Sequence, residues 1–209
     1  MKNKKKNKKI IIFRIISIII IIVCLIVLAF WQQDNTANND IQEELNEYVE
    51  EISDETTITD TETNEETSIP ISNLNVDFDS LKQQNSDTVG WISVPNTNID
   101  YAVVQSSDNS YYLTHNFNKE SNKAGWIFAD YANNFDTLDQ NTIIYGHNRV
   151  NGSMFSNLTY LLDTSWYSTT SNMYFSFSTE SQNYIAQIFS VYKIVSRKCF
   201  TCHKLCYIN

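Results

Sequence analysis

Hydrophobic and polar positions change their period several times along this chain. Residues 10–31 are almost wholly Ile, Val, Leu and Phe, broken by Arg14 and Ser17. About 20 apolar residues span the hydrocarbon core of a bilayer, so this run predicts one transmembrane helix. Ile41, Leu45, Tyr48 or Val49, and Ile52 then keep a helical spacing between acidic residues. That spacing fits a short amphipathic helix or a solvated acidic segment. Residues 55–67 are Thr, Glu, Asp and Asn with almost nothing apolar. Such a stretch buries too little surface to offset the entropy lost on ordering. Residues 32–68 therefore read as a spacer that lifts a domain off the membrane.

The domain begins near Asn75. Asp77 is placed to cap a short helix whose Phe78 and Leu81 face the core. Short runs rich in β-branched and aromatic residues predict strands at 89–94, 99–105, 125–129, 141–145, 173–178 and 184–194. Pro95-Asn96, residues 133–140 and residues 179–183 supply turns and loops between them. Residues 108–115 predict a short helical turn. Met154, Phe155, Leu158, Leu161 and Leu162 recur at helical spacing and predict a helical piece over 154–163. Many short strands with few helices imply a mainly β domain, an antiparallel barrel or sandwich. No internal repeat is evident.

Charge sharpens these boundaries. The formal net charge of −9 conceals three unlike segments. Residues 1–31 carry seven Lys and Arg and no acid, and residues 32–74 carry thirteen Asp and Glu and no base. Residues 75–209 are close to balance, with eleven acidic and eight basic residues. The only dense basic run lies at the extreme N-terminus, which argues against a nucleic-acid surface. That run precedes the apolar segment, so the N-terminus is expected in the cytoplasm and the domain outside the cell. No small-x-small cleavage site follows the apolar run, which points to an uncleaved signal anchor rather than a signal peptide. Cysteine is absent between Cys24 and Cys199, so a disulfide-stapled domain is excluded. The resulting partition is a basic segment at 1–9, an anchor at 10–31, an acidic stalk at 32–74, a domain at 75–194 and a Cys-rich tail at 195–209.

The candidate chemistry lies in NTIIYGHNRVNGSMFSNL, residues 141–158. Thr142 to Tyr145 form a strand, Gly146 punctuates it, and His147 stands where strand gives way to a loop rich in Asn and Gly. A strand can hold an imidazole rigidly while the loop leaves room for substrate. An unperturbed imidazole titrates near pH ~6.5, which suits proton transfer. The competing reading is a histidine hydrogen-bonded into a turn. Asp130 is placed either to orient His147 or to form a turn, and Asn148 and Ser153 are placed to line a site. Trp91, Trp126, Tyr111, Tyr112 and Phe128 read as core or groove-wall aromatics.

Four stretches occur together: VGWISVPNTNIDYAVVQ, DNSYYLTHNF, GWIFADY and NTIIYGHNRVNGSMFSNL. In that order and spacing the chain resembles the class B sortases, membrane-anchored cysteine transpeptidases of Gram-positive bacteria. The resemblance covers about 77–194 and implies a closed β-barrel with flanking short helices. It implies that a cysteine thiolate attacks a Thr carbonyl in the sorting signal of a surface protein. A histidine supplies a proton to the departing amine, an arginine stabilises the oxyanion, and a peptidoglycan amine resolves the thioester. No metal or organic cofactor is implied. His147 matches the family histidine by its YGHN context and is the one catalytic residue carried over.

The family cysteine lies downstream in a TLSTC-like motif, with the arginine on the next strand. Neither motif occurs before Asn209. Cys199, Cys202 and Cys206 lack that context, as does Arg197, and Arg149 reads as a loop residue. The expectation is therefore a sortase domain without its C-terminal strands and inactive as it stands, with an altered reading frame producing the tail. The alternative is a non-catalytic, membrane-tethered remnant or binding domain. A minor alternative is a haem- or metal-binding tail, since Cys199 to His203 form a C-x-x-C-H string.

Overall fold

The computed structural model describes residues 2–52, 56–59, 66–69, 71, 73–137, 139–191 and 202–208, with side chains for 10–52, 71, 73–137 and 139–191. The chain opens with one continuous helix, α1 (Lys2–Asn46). Its apolar segment is exposed from Ile10 to Trp31 and is long and apolar enough to cross a membrane. Beyond Trp31 the same helix docks on the domain. Asn35, Asn38, Ile41 and Leu45 are buried there, at spacings of three and four that put them on one helix face.

The docked residues lie within the segment 32–74 expected as a stalk. The helical spacing of Ile41 and Leu45 belongs to the end of α1, whereas Val49 and Ile52 belong to strand β1 (Val49–Ile52). β1 pairs antiparallel with β4 (Asn73–Val76), Ile52 opposite Asn73. Between them, β2 (Thr56–Thr59) and β3 (Glu66–Ile69) pair with each other. Ile52 and Asn73 thus lie side by side, and Asn35, Asn38, Ile41 and Leu45 before them are buried.

α2 (Phe78–Gln84) follows, capped by Asp77, whose Oδ1 accepts from the Ser80 amide at 3.0 Å. This is the anticipated cap, and Phe78 and Leu81 are buried as anticipated. The main sheet contains β5 (Thr88–Ser93), β6 (Asp100–Val104), β7 (Phe128–Ala129), β8 (Asn141–His147), β9 (Tyr174–Ser178), β10 (Asn183–Gln187) and β11 (Cys202–Ile208). Its order is β10-β9-β5-β6-β7-β8-β11. β6 and β7 run parallel, and the other neighbours run antiparallel. The result is a curled, mixed half-barrel. The 141–158 stretch folds as strand and then helix, although the helix is 3₁₀ (Phe155–Leu162), followed by a short α3 (Thr164–Tyr167).

Trp91, Trp126, Tyr112, Phe117, Phe155, Leu45 and Leu81 are fully buried. Each buried large apolar side chain contributes about 1.5–3 kcal/mol. Trp91 Nε1 donates to Asp100 Oδ1 at 2.7 Å and Trp126 Nε1 donates to the Ala102 carbonyl at 2.9 Å, so neither indole is buried unpaired. Tyr101 meets Trp126 edge-on at 5.7 Å. The aromatic core anticipated from sequence is present for Trp91, Trp126, Tyr112 and Phe128. Tyr111 is only half-buried and stacks on His115 at 4.1 Å.

Candidate active site

β8 alternates along its length. Thr142, Ile144 and Gly146 are buried, whereas Ile143, Tyr145 and His147 are half-buried on the other face. Gly146 is required by packing: a Cβ there would lie 2.5 Å from Ile127 Cδ1 and 2.7 Å from the Phe155 ring. The glycine therefore lets the 3₁₀ helix after the loop press against the strand directly below His147.

His147 Nε2 is 2.8 Å from the Leu113 carbonyl oxygen. A carbonyl only accepts, so Nε2 carries a proton. Nδ1 has no hydrogen-bond partner among the described residues and is the nitrogen left to exchange a proton. The Leu113 carbonyl is itself fixed. It belongs to the 3₁₀ turn Tyr111–Leu113, whose neighbouring carbonyls accept from Trp126 N (3.0 Å, at Tyr112) and Asn122 N (2.9 Å, at Thr114). Tyr112 anchors the turn from below, its hydroxyl donating to Asp87 at 2.6 Å and accepting from Asn85 at 3.0 Å. Burial and the nearby Asp87 carboxylate both push the Tyr112 pKa upward, so the phenol stays protonated.

Gly125 completes the setting of the ring. Its φ of +61° is a conformation glycine adopts without penalty. A Cβ there would lie 2.5 Å from the Tyr112 carbonyl, 3.0 Å from His147 Cδ2 and 3.0 Å from the Leu113 carbonyl. Gly125 thus packs against both the imidazole edge and its hydrogen-bond acceptor.

The other singled-out residues have different duties. Asp130 accepts from Tyr145 Oη and Asn109 Nδ2, both at 2.8 Å, and from the Ala132 amide at 3.0 Å, which is the turn-forming reading. Asn148 bridges to Met154 and closes the loop after His147. Ser153 donates to Asn151 within that loop at 2.8 Å. Arg149 points its guanidinium at α1, donating to Asn35 Oδ1 at 2.7 Å and to the Lys123 carbonyl at 3.4 Å. Partial burial lowers its pKa and nearby Asp34 opposes that shift; a guanidinium stays charged under both influences. Cys202 occupies the register position opposite His147 on β11. Residues 199–201 of the C-x-x-C-H string lie outside the described residues, and no cluster of metal-ligating side chains occurs among those described.

No family model matches the chain. It is 46% identical over 113 residues to sortase B of Listeria monocytogenes and 36% identical over 120 residues to sortase B of Staphylococcus aureus. The crystal structure of sortase B from Bacillus anthracis superposes with a TM-score of 0.62 at 31% identity, covering 81% of this chain and 73% of that one. The chain belongs to the class B sortases. It spans about half the length of the curated relatives it matches, 45% and 48% respectively. Within this sortase chain, sequence reasoning located the histidine strand but not the Leu113 carbonyl, Gly125 or the docked face of α1. Gly125 had a signal, being the one glycine between Gly90 and Gly146 and standing at a loop-to-strand junction.

Proposed function

We propose that His147 is the proton-transfer residue of a cysteine transpeptidase that cleaves a sorting signal at Thr and joins surface proteins to cell-wall peptidoglycan. The single observation that supports this is the bond from His147 Nε2 to the Leu113 carbonyl. It holds one tautomer and leaves Nδ1 as the working nitrogen. In the first half-reaction a thiolate adds to the Thr carbonyl and the peptide C–N bond breaks. The departing amine takes the proton from imidazolium Nδ1. In the second, an incoming peptidoglycan amine attacks the thioester and returns a proton to Nδ1 as the thiolate leaves. Residues 10–31 anchor the enzyme, with the Lys-rich end cytoplasmic and the domain outside.

Among the described side chains the one cysteine is Cys24, exposed in the apolar segment. We therefore propose that the 209-residue chain cleaves no sorting signal by itself. The test is a chimera in which the sequence downstream of residue 194 is replaced by the corresponding part of the Listeria monocytogenes relative. The chimera should cleave a sorting-signal peptide, its His147→Ala variant should not, and the original chain should not. A folded His147→Ala chimera with full activity would overturn the role of His147. Thiol labelling at Cys202 that slows in His147→Ala, or cleavage by the original chain, would overturn the inactivity.

A further inference from the structure

α1 touches the site through side chains that look like those of a solvated segment. Asn38 and Asn122 are each only 3% exposed. Asn38 Nδ2 donates to the Gly125 carbonyl at 3.0 Å, and Asn38 Oδ1 accepts from Asn122 Nδ2 at 2.8 Å. Asn122 Nδ2 also donates to the Asp34 carbonyl at 2.9 Å, and Asn122 Oδ1 accepts from the Ala124 amide at 2.8 Å. On the far side of His147, Arg149 reaches back to Asn35. The helix is therefore hydrogen-bonded to the loop under the imidazole and to the loop after it. A buried amide is costly to leave unpaired, so this arrangement admits little slippage of α1 against the 122–125 loop.

We propose that Asn38, with Asn122, is a positioning residue for His147. The helix emerging from the apolar segment fixes Gly125, and Gly125 fixes the imidazole edge and the Leu113 carbonyl that selects its tautomer. The proposal rests on His147 as the proton-transfer group, but it concerns how the ring is held and is measurable without turnover.

The experiment uses the full chain in detergent micelles with ¹⁵N-labelled histidine, the His147 signals being assigned by loss in His147→Gln. At alkaline pH, where imidazole is neutral, wild type should show the Nε2–H tautomer alone. Asn38→Ala should bring in the Nδ1–H tautomer and speed exchange of the Nε2 proton by about tenfold, the effect of losing one buried hydrogen bond. Asn38→Asp keeps the bond from Asn122 and loses the donor to Gly125. It should act in the same direction and serves as the reading should Asn38→Ala fail to fold. Leu81→Ala, a cavity in α2 that destabilises while removing no side-chain hydrogen bond, should leave tautomer and exchange unchanged. An unchanged His147 in both Asn38 variants would overturn the proposal, as would an equal change in Leu81→Ala. Failure of the chimera to depend on His147 would instead remove the proton-transfer reading while leaving this measurement intact.

Discussion

The two faces of β8 divide packing from hydrogen bonding within seven residues. On the buried face, Ile144 and Gly146 are held by contact: Ile144 joins the core, and Gly146 admits the Phe155 ring. On the half-buried face, Tyr145 and His147 are held by direction. Tyr145 donates to Asp130, and His147 donates to the Leu113 carbonyl. Contact energies come from many weak neighbours and tolerate small displacements. A hydrogen bond comes from one neighbour and sets an angle. The strand therefore places the His147 ring accurately because its opposite face carries the burden of folding.

Substitutions on the packed face should break this division most. Ile144→Ala should destabilise by about 2–5 kcal/mol, read from urea unfolding followed by the fluorescence of the buried tryptophans. Gly146→Ala should cost about 1–3 kcal/mol through overpacking against Ile127 and Phe155, in the same assay. Thr142 offers the opposite sign. Its buried Oγ1 has no hydrogen-bond partner among the described residues, so Thr142→Val should raise stability by about 1 kcal/mol. On the directional face, Tyr145→Phe should cost about 0.5–1.5 kcal/mol by losing the bond to Asp130.

The smallest effect sharpens the comparison at the half-buried carboxylate of Asp100, which opens β6. Burial raises the Asp100 pKa, against opposing bonds from Trp91 and Ser93, with Glu51 adding to the rise. A raised acid pKa means that the native state takes up its proton before the unfolded state does. The group's contribution therefore improves as pH falls through the folded value toward the unfolded value near ~3.9, and is least favourable above both. Asp100→Asn removes that dependence and keeps an acceptor for Trp91. The stability difference, variant minus wild type, should be more positive at pH 7 than at pH 4.5. A flat difference would show that the carboxylate is not penalised by burial.

How much of this was legible followed from which force shaped each element. β8 was legible because β-branched residues, a glycine and a turn-rich loop stand in series. The cap at Asp77 and the aromatic core were legible for similar local reasons. The docked half of α1 was not, since only Ile41 and Leu45 mark it as apolar and its hydrogen bonds to the domain run through Asn35, Asn38 and Gln42. Hydrogen bonds across 87 residues, such as Asn38 to Gly125, leave no periodicity to read. The pairing of β1 with β4 was hidden for the same reason. The 3₁₀ form of 155–162 was hidden because α and 3₁₀ helices draw on similar residues.

The unbroken course of α1 also sets a height and a heading. From Trp31, the end of the apolar run, to Asn35, the first buried residue of the docked face, is four residues, or about 6 Å at helical rise. In a bilayer spanned by residues 10–31 the domain would be moored at headgroup level instead of tethered at the end of a leash. A leash lets a domain search a hemisphere in every orientation. A mast confines it to rotation about one axis and diffusion in one plane, where a protein held in the same membrane meets it at a fixed elevation. The two-dimensional encounter raises effective concentration without any added contact.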